Sequence, residues 1–419
     1  MGRLCQSEPR GTGHLVKPRR IAVLGGGMLG VCTALELVRR GESVSLIEGS
    51  SELMQGASRW NEGKIHLGYL YAADTELGTA ERLIPGALAF SRLVERHIGR
   101  ALDEFCTIDD NFMLHRRSVV DLESFTAYAG RVAQLASGMA ARSGETYLSD
   151  LSPGVVRRLS PSELAQVSCS DEVVAGFRVN EVSVSTVPIA DLLVEAVRAE
   201  PRIDVHVDTW VESVRRLDGD RMEIRARSAS GDELGPFDFV VNALWEGRPA
   251  VDATLGIVPD APWSHRFRAA VFGRGDASQL PSAVLVTGPF GDVKRYRDGR
   301  VYLSWYPVGL LAEGHEIEPP RECAILSPER NARIQSEVLA ALTGYFPAVA
   351  GVATNPSLEV HGGWVYAIGQ GSLADRASTL HRRDRFAMSV DRGYISVDTA
   401  KYSIAPWLAE RTARLIVGR

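Results

Sequence analysis

An α/β fold in two lobes, one on a mainly parallel sheet and one on an antiparallel sheet, is predicted by three observations. Residues 20–48 read as strand, glycine turn, amphipathic helix and second strand. Around residues 175–255 short apolar strands alternate again with a helix, the pattern of a sheet covered by helices. From 266 to 308 the apolar runs lengthen and alternate, and Asp298-Gly299 between the last two is a hairpin signal. The length of 419 residues exceeds what one hydrophobic core usually holds, which also argues for two lobes.

The first unit carries the clearest chemistry. Arg20–Leu24 is an aliphatic run of the kind a parallel sheet buries on both faces. Gly25, Gly27 and Gly30 follow at G-x-G-x-x-G spacing: a tight turn, a backbone that a pyrophosphate can approach, and close packing of helix on strand. The helix from Met28 to Arg40 turns Leu29, Cys32, Leu35 and Val38 toward the sheet, while its first N–H groups, from Met28 and Leu29, face the phosphates. Ser43–Ile47 is the second strand. Glu48 closes it, where a carboxylate accepts from a ribose 2′-OH and repels a 2′-phosphate. This is a Rossmann-like dinucleotide site that favours FAD or NAD over NADP.

Composition excludes several classes. A net charge of −5 leaves no basic footprint for nucleic acid. No stretch approaches the roughly 18 apolar residues of a membrane span, so no integral membrane segment is expected. Cys5, Cys32, Cys106, Cys169 and Cys323 are odd in number and scattered, which reads as reduced thiols in a cytoplasm rather than a disulfide framework or metal site. Residues 1–19 are polar and aperiodic, a flexible extension. Arg19-Arg20 is not read as an export signal, because the apolar run behind it already serves as strand and turn and is interrupted by Glu36.

The next stretch, Gly56-Ala57-Ser58-Arg59-Trp60-Asn61-Glu62-Gly63-Lys64-Ile65-His66-Leu67-Gly68-Tyr69, resembles the flavin loop of the D-amino acid oxidase superfamily. Its K-I-H-x-G element is most similar to the branch of glycerol-3-phosphate dehydrogenases and L-2-hydroxyglutarate oxidases. The resemblance implies FAD, with Gly56, Ala57, Ser58, Asn61, Gly63, Lys64 and Ile65 along the cofactor. Asn242-Ala243, at the end of the apolar strand Phe237–Val241, resembles the second cofactor contact of that superfamily, with Leu244 where a glycine is usual. Val211 is a candidate adenine contact.

The resemblance also implies the partition of the chain. Residues 20–95, 175–255 and 360–419 are expected to form a discontinuous FAD-binding domain, and 96–174 and 256–359 the substrate domain, whose antiparallel sheet roofs the flavin. Within that sheet Val301, Leu303 and Trp305 share one face, and Tyr302, Ser304 and Tyr306 the other. Arg266 and Arg268 likewise share a face. That polar face is either a substrate-cavity wall, with Arg268 and Tyr306 touching substrate, or a solvated sheet surface.

Toward the C-terminus, Gly362-Gly363-Trp364-Val365-Tyr366 stands where the family usually carries an arginine for the substrate's anionic group. Val365 or Tyr366 occupies that position, which points away from glycerol 3-phosphate and small acids and toward recognition by the Tyr366 phenol. The Asp398–Ser403 turn resembles the closing motif ahead of the last helix, with Lys401, Tyr402 and Ser403 by the flavin. A lysine and a helix N-terminus there would stabilise the reduced ring. His66 is the first candidate for proton acceptor, with Tyr306 and Lys401 as alternatives.

The function expected is an FAD-dependent oxidoreductase, dehydrogenase or oxidase, moving a hydride from a C–H beside a hydroxyl of a small molecule to flavin N5. The acceptor is oxygen or a redox partner. Alternatives are an amine or amino acid oxidase on the same fold, and a non-catalytic flavin-binding redox partner.

Overall fold

Four-residue strands, aliphatic at the sheet's centre, build the first sheet. In this computed structural model, which describes residues 19–108, 110–228, 233–275 and 277–418, its strands run in the order Met388–Asp391, Tyr394–Val397, Phe239–Asn242, Ile21–Leu24, Val44–Ile47 and Ile203–His206. All pairings are parallel except the one between Met388–Asp391 and Tyr394–Val397. Helix Met28–Arg39 packs on this sheet, against helix Ala405–Val417 and helix Thr186–Arg198. The expected extension lies outside the described residues but for Arg19.

Nine strands form a second, mainly antiparallel sheet among the described residues, in the order Leu310–Gly314, Trp263–Arg274, Arg300–Trp305, Gly291–Arg295, Ala283–Val286, Asn111–His115, Val173–Arg178 and Arg157–Arg158. Glu359–Ile368 also pairs with Trp263–Arg274 along ten residues, from Trp263 opposite Ile368 to Phe272 opposite Glu359. Val173–Arg178 and Glu359–Ile368 are both strands of this sheet. Long partners rather than local composition decide where a strand joins.

Alternation sorts this sheet's two faces. Ala269, Val271, Val301 and Leu303 pack with Ile334 and Val338 of helix Pro328–Thr343 in an apolar cluster. The opposite face is polar yet buried: Tyr302, Ser304, Tyr306, Arg266 and Lys294 are all less than a tenth exposed. It is therefore not the solvated surface that an antiparallel sheet commonly offers. Tyr306 opens a single helical turn, Tyr306–Gly309, rather than extending its strand. Ser160 caps helix Pro161–Val167, its side chain and that of Glu163 forming a capping box.

Candidate cofactor and active site

The glycine turn is formed by close backbone approaches. Gly25 has φ +96°, and a Cβ there would lie 2.8 Å from the carbonyl oxygen of Ala243, so the Asn242-Ala243 turn lies directly against it. A Cβ on Gly30 would collide with the Gly25 carbonyl, the packing of helix on turn that the motif requires. Gly30→Ala is therefore expected to destabilise the holoprotein by about 1–3 kcal/mol and to lower FAD content on purification. Thermal melting and the flavin-to-protein absorbance ratio measure both, and full FAD content with an unchanged melt would refute it.

Glu48 accepts from the Gly26 N–H at 2.7 Å and the Ser50 N–H at 2.7 Å, which fixes its carboxylate at the end of the second strand. Asn242 is engaged internally: its amide donates to the Arg248 carbonyl, to Asp252 and to the Tyr394 hydroxyl. Its side chain thus holds the turn rather than facing a ligand. Leu244 has φ −76°, so the family's glycine is not needed at that point. Val211 is buried in one apolar cluster with Ile47. The exposed residue at this end is instead Trp210, which lies on Gly49 and carries the Arg321 guanidinium 3.7 Å from its ring centre. Glu246 adds an acid that sequence reading missed; burial, and the nearby Glu48 charge, push it up to about 7.

The flavin-type loop connects this end to the second sheet. Ser58 Oγ accepts from the Met28 N–H at 2.8 Å, at the first turn of the helix. Asn61 donates to the Ala57 carbonyl at 2.8 Å and accepts from the Gly63 N–H at 2.7 Å, so the loop is braced by its own asparagine. Gly63 has φ +61° and lies against the Val184 carbonyl, which explains the glycine there. Ala57 packs on Gly363, and Trp60 stacks on His361 with ring centres 3.5 Å apart. Both contacts bring the loop onto the polar-face side of strand Glu359–Ile368, since Gly363 is paired with Arg268.

Beyond Gly63 the loop enters a buried layer of charge. Lys64 is 2.9 Å from Asp110 and 3.7 Å from Glu181, so its ammonium is committed there rather than free for a phosphate. Lys294 reaches the same Asp110 at 2.6 Å. His66, 2 % exposed, has its Nδ1 3.8 Å from Glu181 Oε1. Burial, then the charges of Lys401, Lys64 and Arg383, hold the imidazole well below its usual range, in the neutral form.

Arg266, Arg268, Arg383 and Lys401 converge on the same space. Arg266 donates to the Tyr306 hydroxyl at 3.3 Å, and Arg268 lies over the Tyr306 ring at 4.6 Å from its centre. Arg266 Nε and Nη2, Arg268 Nε and Arg383 Nε are buried without an acceptor among the described residues. Burial, followed by repulsion from Arg383, brings Lys401 down to about 7, with Glu62 opposing. Lys401 stands ahead of helix Ala405–Val417, and Tyr402 and Ser403 after it are half-buried and buried, each with a hydroxyl that has no partner among the described residues. An ammonium about 4 Å from a developing negative charge contributes up to about 4 kcal/mol at an effective dielectric of 20. Lys401→Met is accordingly expected to lower the flavin midpoint potential, by at most roughly 85 mV for two electrons; an unchanged potential in a redox titration would count against this role.

Of the expected substrate contacts, Arg268 and Tyr306 come together and Tyr366 does not. Tyr366 pairs with His265, and so faces away from Arg266 and Arg268, against Trp245 and beneath Arg248, whose guanidinium is 5.2 Å from its ring centre. Sequence reasoning missed Asp110, Glu181, Asp292, Lys294 and Arg383. Arg266 was visible as the neighbour of Arg268 in the alternation.

Comparison with known proteins agrees with this geometry. No significant match is found among curated proteins. Among solved structures, glycine oxidase from Geobacillus kaustophilus aligns with a TM-score of 0.66 at 15 % identity, covering 96 % of this chain and 95 % of that one. L-proline dehydrogenase from P. horikoshii aligns with a TM-score of 0.63 at 16 % identity, over 96 % and 93 %. The L-alpha-glycerophosphate oxidase from Mycoplasma pneumoniae, in a structure with FAD bound, gives 0.60 at 13 % identity, over 96 % and 95 %. The family profile described as DAO, FAD dependent oxidoreductase, matches residues 20–383. The glycine turn, the acid after the second strand, the braced loop and the cationic layer are thus those of a member of the DAO family, and the chain is an FAD-dependent oxidoreductase.

Proposed function

We propose that the protein oxidises a small anionic substrate at a carbon bearing a hydroxyl, a 2-hydroxy acid being the simplest case. In this reading the six-stranded unit holds FAD and the nine-stranded sheet holds the substrate. The residues fit the cofactor: glycines admit the close approaches at Gly25 and Gly30, Glu48 is fixed for a ribose, and Lys401 stands half-buried ahead of the last helix among the arginines. FAD, when bound, supplies the hydride acceptor.

One observation carries the substrate class. Arg266 is 3 % exposed, and its Nε and Nη2 have no acceptor among the described residues. A buried guanidinium with unsatisfied donors is costly unless a ligand completes it. Arg266 also lies directly across from Val365, one of the two positions at which the family's arginine is expected. The neighbouring strand thus supplies a guanidinium at the same register, which supports an acid as substrate after all. Arg268 and the Tyr306 hydroxyl flank it and orient the anion, while neutral His66 accepts the hydroxyl proton. The I-H-x-G element supports kinship with the glycerol-phosphate and 2-hydroxyglutarate branch. The second reading, oxidation of an amine or amino acid, is favoured by the fold likeness to glycine oxidase and L-proline dehydrogenase.

Anaerobic titration of the yellow protein separates these readings. Bleaching near 450 nm by 2-hydroxy acids, and not by uncharged polyols, is the expected result. Bleaching by amino acids with ammonia release would replace the first reading with the second, and bleaching by polyols alone would overturn the assignment of Arg266.

A further inference from the structure

We propose that Glu181 is a positioning residue for His66: its free Oε1 holds the imidazole proton on Nδ1 and so leaves Nε2 bare to take the proton of the substrate. This rests on the proposal that His66 is the acceptor.

Three observations carry it. First, Glu181 is fully buried, at 0 % exposure, and its two oxygens are used differently. Oε2 accepts from the N–H groups of Leu67 at 2.6 Å and Gly68 at 3.1 Å, the two residues that follow His66. The carboxylate is thereby tied to the very loop that carries the imidazole. Second, Oε1 has no hydrogen-bond partner, and neither has His66 Nδ1, yet the two atoms face each other at 3.8 Å. No water fits between atoms at that distance, and two buried, complementary groups left unbonded cost free energy that a small ring movement recovers. Catalytic hydrogen bonds are often long before substrate binds and shorten in the complex. Third, burial raises the Glu181 carboxyl above its usual range, and Lys64, 3.7 Å from the same Oε1, with the Leu67 and Gly68 N–H groups, opposes that shift and favours the carboxylate; Lys64 is itself anchored by Asp110 and, through it, Lys294.

The ring's other neighbours do not compete for this role. Besides Glu181, the side chains acting most strongly on the ring are Lys401, Lys64, Arg383 and Lys294, none of them an acceptor when protonated, and Tyr71 lies with its ring centre 5.7 Å away. Glu181 is thus the carboxylate nearest to Nδ1, at 3.8 Å. A carboxylate there selects the tautomer with Nε2 unprotonated and stabilises the imidazolium once formed. In the step itself the substrate O–H breaks and its proton goes to Nε2. FAD, when bound, would supply the two-electron acceptor for the hydride of that carbon, whose single bond to oxygen becomes a double bond. The new positive charge on His66 is then matched by Glu181.

The test compares Glu181→Gln, His66→Asn and the double variant of the FAD-loaded enzyme by anaerobic stopped-flow reduction with a bleaching substrate. Glutamine can keep the two loop bonds through its amide oxygen, but presents an N–H donor to Nδ1 and so favours the tautomer with the proton on Nε2. Reduction is expected to slow about 10²- to 10⁴-fold with FAD content unchanged. The apparent pKa of the rate profile should move down, because the imidazolium has lost its anion. The double variant should be no slower than His66→Asn alone, since the two act as a unit.

Losses that multiply in the double variant, with an unmoved pH profile, would mean that Glu181 only shapes the loop and would overturn the proposal. A wild-type rate for His66→Asn would instead overturn the acceptor assignment beneath it. Should Glu181→Gln not fold, nitrogen-15 spectra of histidine-labelled wild type, with His66 assigned by its loss in His66→Asn, read the tautomer directly. A proton on Nδ1 supports the inference, and a proton on Nε2 refutes it.

Discussion

His66→Asn is expected to slow substrate-driven bleaching of the flavin by about 10²- to 10⁴-fold, the usual contribution of a positioned general base, while FAD stays bound. The cofactor should be retained because the loop is braced by Asn61 and Ser58 and not by the imidazole. A base can work only in its unprotonated form, and here burial and the cations around it keep the ring neutral. With its free-enzyme value well below 6.5, the imidazole should remain competent from neutral pH down past the range where an ordinary histidine protonates. The loss of this base is therefore expected to show in kcat/KM only below about pH 6.5, the unperturbed histidine value, separately from any fall above pH 7 as Lys401 loses its proton. An acid limb centred at or above that value would contradict the neutral-base reading even if the variant were slow.

Arg266→Met is expected to divide catalysis from stability in the opposite sense to most core substitutions. Truncating one partner of a buried, hydrogen-bonded charge pair costs about 2–5 kcal/mol of binding, so kcat/KM for an acid substrate should fall roughly 30-fold to 1,000-fold or more. KM should carry most of that loss, because the anion is held equally before and during hydride transfer. The free protein should melt at the same temperature or higher, since a guanidinium with unsatisfied Nε and Nη2 is replaced by an apolar chain of similar length. Arg268→Met should cost less, because Arg268 is half-buried and already lies over the Tyr306 ring. A destabilised Arg266→Met with unchanged KM would make this arginine structural and remove the basis for an acidic substrate.

How much of this was legible follows the range of the interactions. The unit from Arg20 to Glu48 could be read from sequence alone because each of its parts is local. A four-residue apolar strand, glycines at fixed spacing, a helix with one apolar stripe and an acid at the strand end all act within about thirty residues. The loop from Gly56 to Gly63 was legible for the same reason, since Asn61 bonds within its own turn. The two faces of the strand Arg300–Trp305 followed from alternation, and so did the pairing of Arg266 with Arg268.

Tertiary structure decided what alternation leaves open. Strand register sets which face of the sheet a residue occupies, and it placed Tyr366 opposite His265 and away from the arginines. It also decided that the polar face is covered, which turned a candidate solvent surface into a buried layer of charge. That layer joins Lys64 to Asp110 across 46 positions, Asp110 to Lys294 across 184, and Gly68 to Glu181 across 113. No periodicity in one segment encodes a partner so distant, because such pairs form only when the whole sheet closes and excludes water around them. The cofactor was therefore written in local sequence, while the recognition of substrate and the setting of its base reside in contacts that only the closed fold creates.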